Sequence, residues 1–502
     1  MNYPFWDTQL PYGPLMGLIA VVHVFVSHFA IGGGLYLVIA ETAARRAEDQ
    51  ARLAFLRTLS KFFLLTTVVF GALTGVAIWF IIGLLNPTAT EALIHNFVWG
   101  WAIEWTFFLV EIAAAIVYFY GWERLSARDH LRIGWIYFAA AWLSLAVING
   151  ILTFMLTPGN WLASGDFWDG FLNPTYWASL VLRTGVCVLL AGTYALLVAS
   201  RLPADRFKTS VVRYNALWAL GGLLVTLPSF FWYFRIIPAA NLQAATFMVY
   251  PLWSVHGSLL FAAALAFLVL VFGCLLPRRM HLSVALLIML SALGWFASFE
   301  WFRESVRKPF AITGYLYANG LEVSRMDAYR KDGLLAHTTF RTGDDSADLF
   351  RHTCRSCHTL RGYRPLLAAL DGTDPAFIAG TIRGIHKLKG NMPPFPGTAA
   401  EAGALADFLH RRTDRRPLAE IYRLEGTALG RKVYEVRCGR CHEFGGFNDK
   451  AESILGLTEK DYDDLLKNSG EIAEEMPAFS GSPAEKEALI QYLLSQKPGG
   501  AK

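Results

Sequence analysis

Two pentapeptides of this chain, Cys354-Arg355-Ser356-Cys357-His358 and Cys438-Gly439-Arg440-Cys441-His442, share the pattern Cys-x-x-Cys-His. That spacing attaches a c-type haem. The two thiols form thioethers to the porphyrin vinyl groups, and the adjacent histidine becomes the proximal iron ligand. One copy could be an accident or a zinc half-site. A second copy, with histidine in the same place, argues against both. The expected cofactors here are two covalent c-type haems, held by Cys354, Cys357 and His358 and by Cys438, Cys441 and His442. These motifs use four of the six cysteines, so no disulfide is implied.

The likeness extends past the motifs. Met392 follows Cys354 by 38 residues, and Met476 follows Cys438 by 38. Phe350 and Tyr434 each stand four residues before their first cysteine, and Phe408-Leu409 and Tyr492-Leu493 each begin sixteen after their methionine. A period of 84 residues means two copies of one module. Each reads as a small class I cytochrome c: helix, haem motif, loop, Met-Pro loop, C-terminal helix. Asn391-Met392-Pro393-Pro394-Phe395 and Glu475-Met476-Pro477-Ala478-Phe479 are the loops expected to supply the sixth ligand. A Met/His pair raises the haem potential. Methionine is otherwise a common core filler, but matching offsets and a following proline favour ligation.

The elements that carry these modules are apolar. Of 502 residues 54% are hydrophobic, and mean hydropathy is +0.36. The excess lies in the first 303 residues, in eight candidate spans at about 12–40, 59–85, 99–121, 132–156, 174–200, 214–236, 249–276 and 282–303. Each is near or above the ~20 residues that cross a bilayer. The fold class expected is all-α: a polytopic transmembrane bundle of about eight helices, then two tandem class I cytochrome c domains. The boundaries expected are 1–303 for the membrane domain, 304–347 for a linker, 348–416 for the first cytochrome domain and 417–502 for the second. The connections at 41–61, 122–132, 201–213 and 277–281 are rich in Lys and Arg, whereas 86–98, 157–173 and 237–248 have none. The positive-inside rule then puts the N-terminus and the haem modules in the periplasm of a bacterial inner membrane. Haem c attachment on the outer side agrees. The net charge of +5 is therefore largely a topology signal and gives no support for nucleic acid binding. The first span is too long, and lacks the basic n-region, for a cleaved signal peptide.

Ionisable groups inside a bilayer are costly and usually functional. Here they are His23 and His28 in the first span, Glu104 and Glu111 in the third, Arg183 in the fifth, His256 in the seventh and Glu300 in the eighth. At 1.5 Å per residue, Glu104, Arg183, His256 and Glu300 lie within roughly 10–15 Å of the outer surface, and His23 and Glu111 about one or two turns deeper. Glu104 and Glu111, seven apart, share a helix face. All but His28 gather in the outer half, where membrane haems would have to sit to exchange electrons with c haems. An intramembrane histidine can also be a hydrogen-bonded packing residue, and Arg183 can neutralise haem propionates or one of these carboxylates. Cys187 and Cys274 read as packing residues, and His95, His130 and His281 as ordinary helix-end or loop residues. In the linker, Asn319-Gly320 reads as a turn and Leu321–Leu335 as an amphipathic helix. Arg411–Pro417 reads as a solvated charged connection, and the tail from Lys497 as disordered.

At these residues the chain resembles subunit I of the cytochrome bd oxidases. Gly17 to His23, running on to Ala40-Glu41-Thr42, looks like that family's first helix, whose histidine ligates a haem. Trp101-Ala102-Ile103-Glu104 through Glu111 to Gly121-Trp122-Glu123-Arg124 resembles its third helix, with paired Glu at the high-spin haem, although the family's pair is one residue further apart. Gly294-Trp295 through Glu300-Trp301-Phe302 to Arg307-Lys308-Pro309-Phe310 resembles its eighth, with a haem-ligating carboxylate. The resemblance implies roles for Glu104 and Glu111 in catalysis. It implies haem binding by His23, Glu300, His256, Arg183 and Arg307, with one to three non-covalent membrane haems of b or d type. It also implies a second membrane subunit or a larger respiratory complex, in addition to the lipid bilayer. The departures matter too. Leu182-Arg183-Thr184-Gly185 has no histidine where the family's fifth helix ligates its low-spin haem, so that haem is absent or held differently, for instance by His256. The stretch from Ile236 to Val249 is short and uncharged where the family has a long acidic quinol loop, and the ninth helix is replaced by the dihaem tail.

The function expected is that of a haem-containing electron-transfer subunit, an oxidoreductase of the bd terminal oxidase type. It would exchange electrons with a periplasmic carrier through the c haems and reduce O2, or another small ligand such as NO, at a high-spin haem. Two rivals are an electron conduit from quinol or a partner subunit without oxidase chemistry, and a membrane anchor for the dihaem module.

Overall fold

The computed structural model describes residues 3–246, 249–387, 392–446, 448–472 and 476–496. Among them, eight helices are long and apolar enough to cross a membrane: α1 Tyr12–Arg46, α2 Gln50–Leu85, α3 Val98–Gly121, α4 Ala127–Phe154, α5 Tyr176–Ala199, α6 Arg206–Ile236, α7 Trp253–Leu275 and α8 Leu282–Ser305. All eight expected spans are present. Several run further toward the basic connections than hydropathy indicates. Arg, Ala and Glu are good helix formers, so the ends are set by caps. Asp49, Ser126 and Asp205 accept the backbone N–H of Arg52, Asp129 and Lys208, which starts α2, α4 and α6 at 50, 127 and 206.

Contacts divide the chain into two compact units. One holds Met16–Ile81 and Glu91–Arg307. Within it α5 is the most enclosed span. Small residues let backbones approach there, as in membrane bundles generally. A Cβ on Gly222 of α6 would stand 2.1 Å from the Leu189 nitrogen of α5, and one on Gly32 of α1 only 1.8 Å from the Cys187 carbonyl oxygen. In α2 the turn Leu65–Phe70 is π-helical, and the Gly71 N–H reaches back to the Thr66 carbonyl. The extra residue shifts the register of everything after it.

The other unit comprises the chain up to Leu15, Ile82–Thr90 and everything from Lys308 onward. It opens with the only strands among the described residues, β1 Phe310–Ile312 and β2 Leu316–Tyr317, paired antiparallel. Asn319-Gly320 is a turn, with Gly320 at φ +86°. The helix expected over Leu321–Leu335 is much shorter: it spans Met326–Asp332 and stops at Gly333, which takes φ +93°. That conformation ends a helix and suits glycine.

The first cytochrome module then contributes α9 Asp345–Thr353, α10 Pro375–Arg383 and α11 Ala399–His410. The second contributes α12 Gly426–Arg437, α13 Glu459–Lys467 and α14 Pro483–Ser495. The bounds of α10 and α13 repeat at 84 residues. So do the capping boxes Thr398–Glu401 and Ser482–Glu485. Glu401 also accepts the Leu334 N–H at 2.9 Å, and Glu485 the Leu418 N–H at 2.5 Å. The period thus reaches back to Leu334 and Leu418, both fully buried. In each module an aromatic pair joins the first helix to the last: Phe350–Phe408 at 6.1 Å and Tyr434–Tyr492 at 5.9 Å between ring centroids.

Because the Gly32 contact meets backbone rather than a movable side chain, Gly32→Ala must push α1 from α5. Overpacking of this kind costs about 1–3 kcal/mol. A thermal melt of the detergent-solubilised protein checks this: the membrane transition falls by several degrees, and an unchanged midpoint would refute the close approach.

Candidate functional site

The two haem motifs fold alike. Each leaves its helix through the same turn: His358 N–H bonds to the Cys354 carbonyl at 2.9 Å, and His442 N–H to the Cys438 carbonyl at 2.8 Å. Both histidines then direct Nδ1 at the carbonyl six residues on, Arg364 at 3.1 Å and Asn448 at 3.3 Å. Arg364 and Asn448 have φ +47° and +48°, so the same left-handed residue turns both carbonyls inward. At His358 the carbonyl only accepts, so Nδ1 carries the proton and Nε2 keeps its lone pair for iron, whereas His442 Nδ1 also has the Asn448 Nδ2 amide at 3.1 Å. Burial pushes the Cys354 thiol up to about 11 and the Cys438 thiol to about 12. All four motif cysteines are free. Among the described residues no three His, Cys, Asp or Glu side chains converge as a bare metal ion requires, which disfavours zinc at either motif. These residues fit covalent haem.

The two modules meet. Arg437, just before the second motif, donates to the Asp371, Gly372 and Ser480 carbonyls. His358 is held below the usual imidazole value chiefly by burial, with the Arg364 and Arg440 guanidiniums adding to it. Arg440 belongs to the second motif, so the two attachment loops are electrostatic neighbours. Met392 and Met476 are described, but Asn391 and Glu475 of their loops lie outside the described residues. In the connection between modules, Arg416 pairs with Asp414 at 2.6 Å and Arg412 lies 3.7 Å over the Phe408 ring.

In the membrane unit the polar residues of α3 and α4 form a ladder. Ser144 Oγ donates to Glu104 Oε1 at 2.9 Å, and Tyr137 OH to Glu111 Oε1 at 3.0 Å. One level further, His130 Nε2 lies 2.8 Å from the Tyr118 carbonyl. Glu104, Glu111 and Tyr118 step by seven along α3, and Ser144, Tyr137 and His130 step by seven back along α4. Rungs are therefore about 10 Å apart along the helices at 1.5 Å per residue. The last rung ends on Glu41 of α1, which is fully buried. Glu41 accepts from Tyr118 OH at 2.6 Å and Arg45 Nε at 2.6 Å, and pairs with His130 Nδ1 at 2.8 Å. Sequence reading missed this node. It took His130 as a loop residue, whereas Ser126 caps α4 and draws His130 into the helix with no exposed surface.

The remaining candidates separate. His23 Nδ1 meets Thr74 Oγ1 of α2 at 3.1 Å, and a Cβ on Gly75 would stand 3.2 Å from its ring. Its Nε2 has Ser27 Oγ at 3.3 Å, but that hydroxyl also donates to the His23 carbonyl at the better distance of 2.9 Å. Arg183, 2% exposed, bridges from α5 to α8, giving Nη2 to Glu300 Oε1 at 3.1 Å. Glu300 Oε2 takes Arg303 Nε at 2.7 Å, so both its oxygens are engaged by guanidiniums. Arg307 pairs with Glu304. His28 packs against Phe296 of α8, with ring centroids 5.5 Å apart. His256 is exposed. Ser254 and Ser258 hold the buried face of α7, and a residue two on from Ser254 turns away from it. Cys187 is buried and Cys274 half-buried, as packing residues are.

Residues 15–229 match the family model described as cytochrome bd terminal oxidase subunit I. Residues 341–409 and 425–493 match the model described as cytochrome c oxidase, cbb3-type, subunit III. No curated protein matches the chain. Among solved structures, the bd oxidase from Geobacillus thermodenitrificans aligns with TM-score 0.54 and 16% identity, covering 62% of this chain and 90% of that one. That likeness is one of fold.

The repeated motif geometry predicts independent attachment. Replacing Cys438 and Cys441 together by Ala lowers covalent haem, measured by pyridine haemochrome on denatured protein, from two per chain to one. A variant that kept two, or lost both, would contradict the assignment.

Proposed function

From a multi-pass haem membrane subunit of the cytochrome bd oxidase type that carries two cytochrome c modules, we propose a terminal oxidase fed from the periplasm. A periplasmic electron carrier reduces the two c haems, and electrons pass to between one and three non-covalent haems of b or d type inside the bundle. A haem bound there would supply the redox chemistry that reduces O2. This chain's residues supply the rest. Glu104 and Glu111 each have only one carboxylate oxygen in the ladder bonds, leaving the other to ligate or to carry a proton. His23 Nε2 is the ligand available on α1 beside α2.

The observation that carries the reading is the ladder. Reduction of O2 consumes protons as well as electrons, and a proton needs titratable groups at intervals through hydrocarbon. Glu41 with His130, then Tyr137 with Glu111, then Ser144 with Glu104 are such groups, on α3 and α4 and, at the Glu41 end, α1. The basic connections at 41–61 and 122–132 flank its Glu41 end, which makes that end cytoplasmic under the positive-inside rule. The periplasmic assignment of the haem modules has separate support. The chain up to Leu15, Ile82–Thr90 and the chain from Lys308 form one compact unit, and the charge pattern gives all three segments to the outer side. Electron entry through c haems is favoured over quinol by the short uncharged stretch between α6 and α7. A second membrane subunit is favoured by α2 and α3, the least enclosed spans, which expose Leu73, Trp79, Trp99 and Trp105.

Oxygen uptake with reduced cytochrome c as donor tests the reading. The wild type consumes O2, and Glu111→Gln loses activity by about 10²-fold or more, as removal of a proton-transfer group does, with c haem content unchanged. Reduction of the c haems by quinol without O2 uptake would replace the oxidase by the conduit.

A further inference from the structure

His28 is 1% exposed, lies within the apolar length of α1, and has no assigned role. Its Nδ1 is 2.7 Å from the Val24 carbonyl, one turn earlier on the same helix. That oxygen can only accept, so Nδ1 bears the proton and Nε2 bears the lone pair. Nε2 is buried and has no hydrogen-bond partner. An unsatisfied imidazole acceptor in hydrocarbon costs free energy that a packing histidine avoids.

The proximal histidine of the first c module shows the same arrangement: His358 Nδ1 is committed to the Arg364 carbonyl and Nε2 is left for iron. The other buried histidine of the bundle does not. His130 has both ring nitrogens engaged, by Glu41 and by the Tyr118 carbonyl.

The surroundings of His28 suit an anionic, planar cofactor. Gly32, one turn along α1, meets Cys187, one turn along α5 from Arg183, so parallel packing puts His28 level with Arg183. Phe296, whose ring centroid lies 5.5 Å from that of His28, stands one turn before Glu300 on α8. On α8 the same cluster holds a second unsatisfied atom, the buried Nη1 of Arg303. Arg303 lies seven residues beyond Phe296, the ring beside His28, which is about 10 Å along the helix. A haem iron and its propionates are separated on that scale. Glu300 is the poorer ligand at this cluster, since both its oxygens are held by guanidiniums.

We infer that His28 Nε2 is an axial ligand of a non-covalent haem between α1, α5 and α8, with Arg303 pairing a propionate. The inference rests on the proposed presence of membrane haems. It assigns a ligand on α1 distinct from His23, and it gives the bundle an electron-transfer site in place of the one for which Leu182–Gly185 of α5 offers no histidine.

The test uses the full chain as purified from membranes. Non-covalent haem is extracted in acid acetone and counted against the covalent haem left on the protein, and optical and EPR spectra are recorded before extraction. His28→Ala loses one non-covalent haem per two c haems, or yields an altered spectrum that added imidazole restores. His28→Met, which fills the space and offers a thioether, keeps the haem but moves its EPR signal. Wild-type ratio and spectra in both variants would overturn the inference while leaving the oxidase reading intact. Wild-type protein with no extractable haem would overturn both.

Discussion

Hydrocarbon offers no water to a polar group, and this constraint orders the membrane half of the molecule. Each buried ionisable residue must find a partner inside the bundle or lose several kcal/mol of solvation. Glu41 finds three partners, and Glu300 finds two guanidiniums. Glu104 and Glu111 find one hydroxyl each on α4. A few buried atoms are left without a partner, Asn215 Nδ2 of α6 among them, and two of them stand close together. His28 Nε2 and Arg303 Nη1 lie in one cluster with complementary needs, a metal for one and an anion for the other. A haem bound there would supply both.

The soluble half solves a related problem with backbone. A proximal histidine must present Nε2 in one orientation, and a carbonyl fixed by a left-handed residue six positions on does this in both modules. The residues differ, Arg364 in one and Asn448 in the other, yet the turn is the same. The Glu401 and Glu485 capping boxes likewise close each module by holding the buried Leu334 or Leu418 strip against the last helix. Repetition at 84 residues therefore preserves hydrogen bonds more faithfully than side chains.

Much of this was legible in the sequence. The Cys-x-x-Cys-His motifs and eight apolar runs depend on local spacing and local hydropathy, which a chain displays directly. Glu104 and Glu111 were visible as a pair because seven residues return to one helix face. Their partners were not, since Ser144, Tyr137 and His130 line up only once α3 and α4 pair antiparallel in one register. The Arg183–Glu300 bridge was among the alternatives for Arg183, but the choice between carboxylate and propionate depends on the distance between α5 and α8. The face of α7 that turns inward, marked by buried Ser254 and Ser258, was likewise not legible, because the span is apolar along most of its length. His28 was passed over because depth alone separated it from the other polar residues, and an unsatisfied nitrogen is a property of coordinates.

The central claim is a continuous electron path between the c haems and a ligand-binding haem in the membrane. Flash photolysis of the partly reduced, CO-bound protein tests it most directly. If the claim holds, CO binds a membrane haem, and its release sends an electron back to the c haems, seen as a transient rise of the reduced c-haem bands that decays as CO rebinds. CO release with no change at the c haems, or no CO-binding haem at all, would contradict the account.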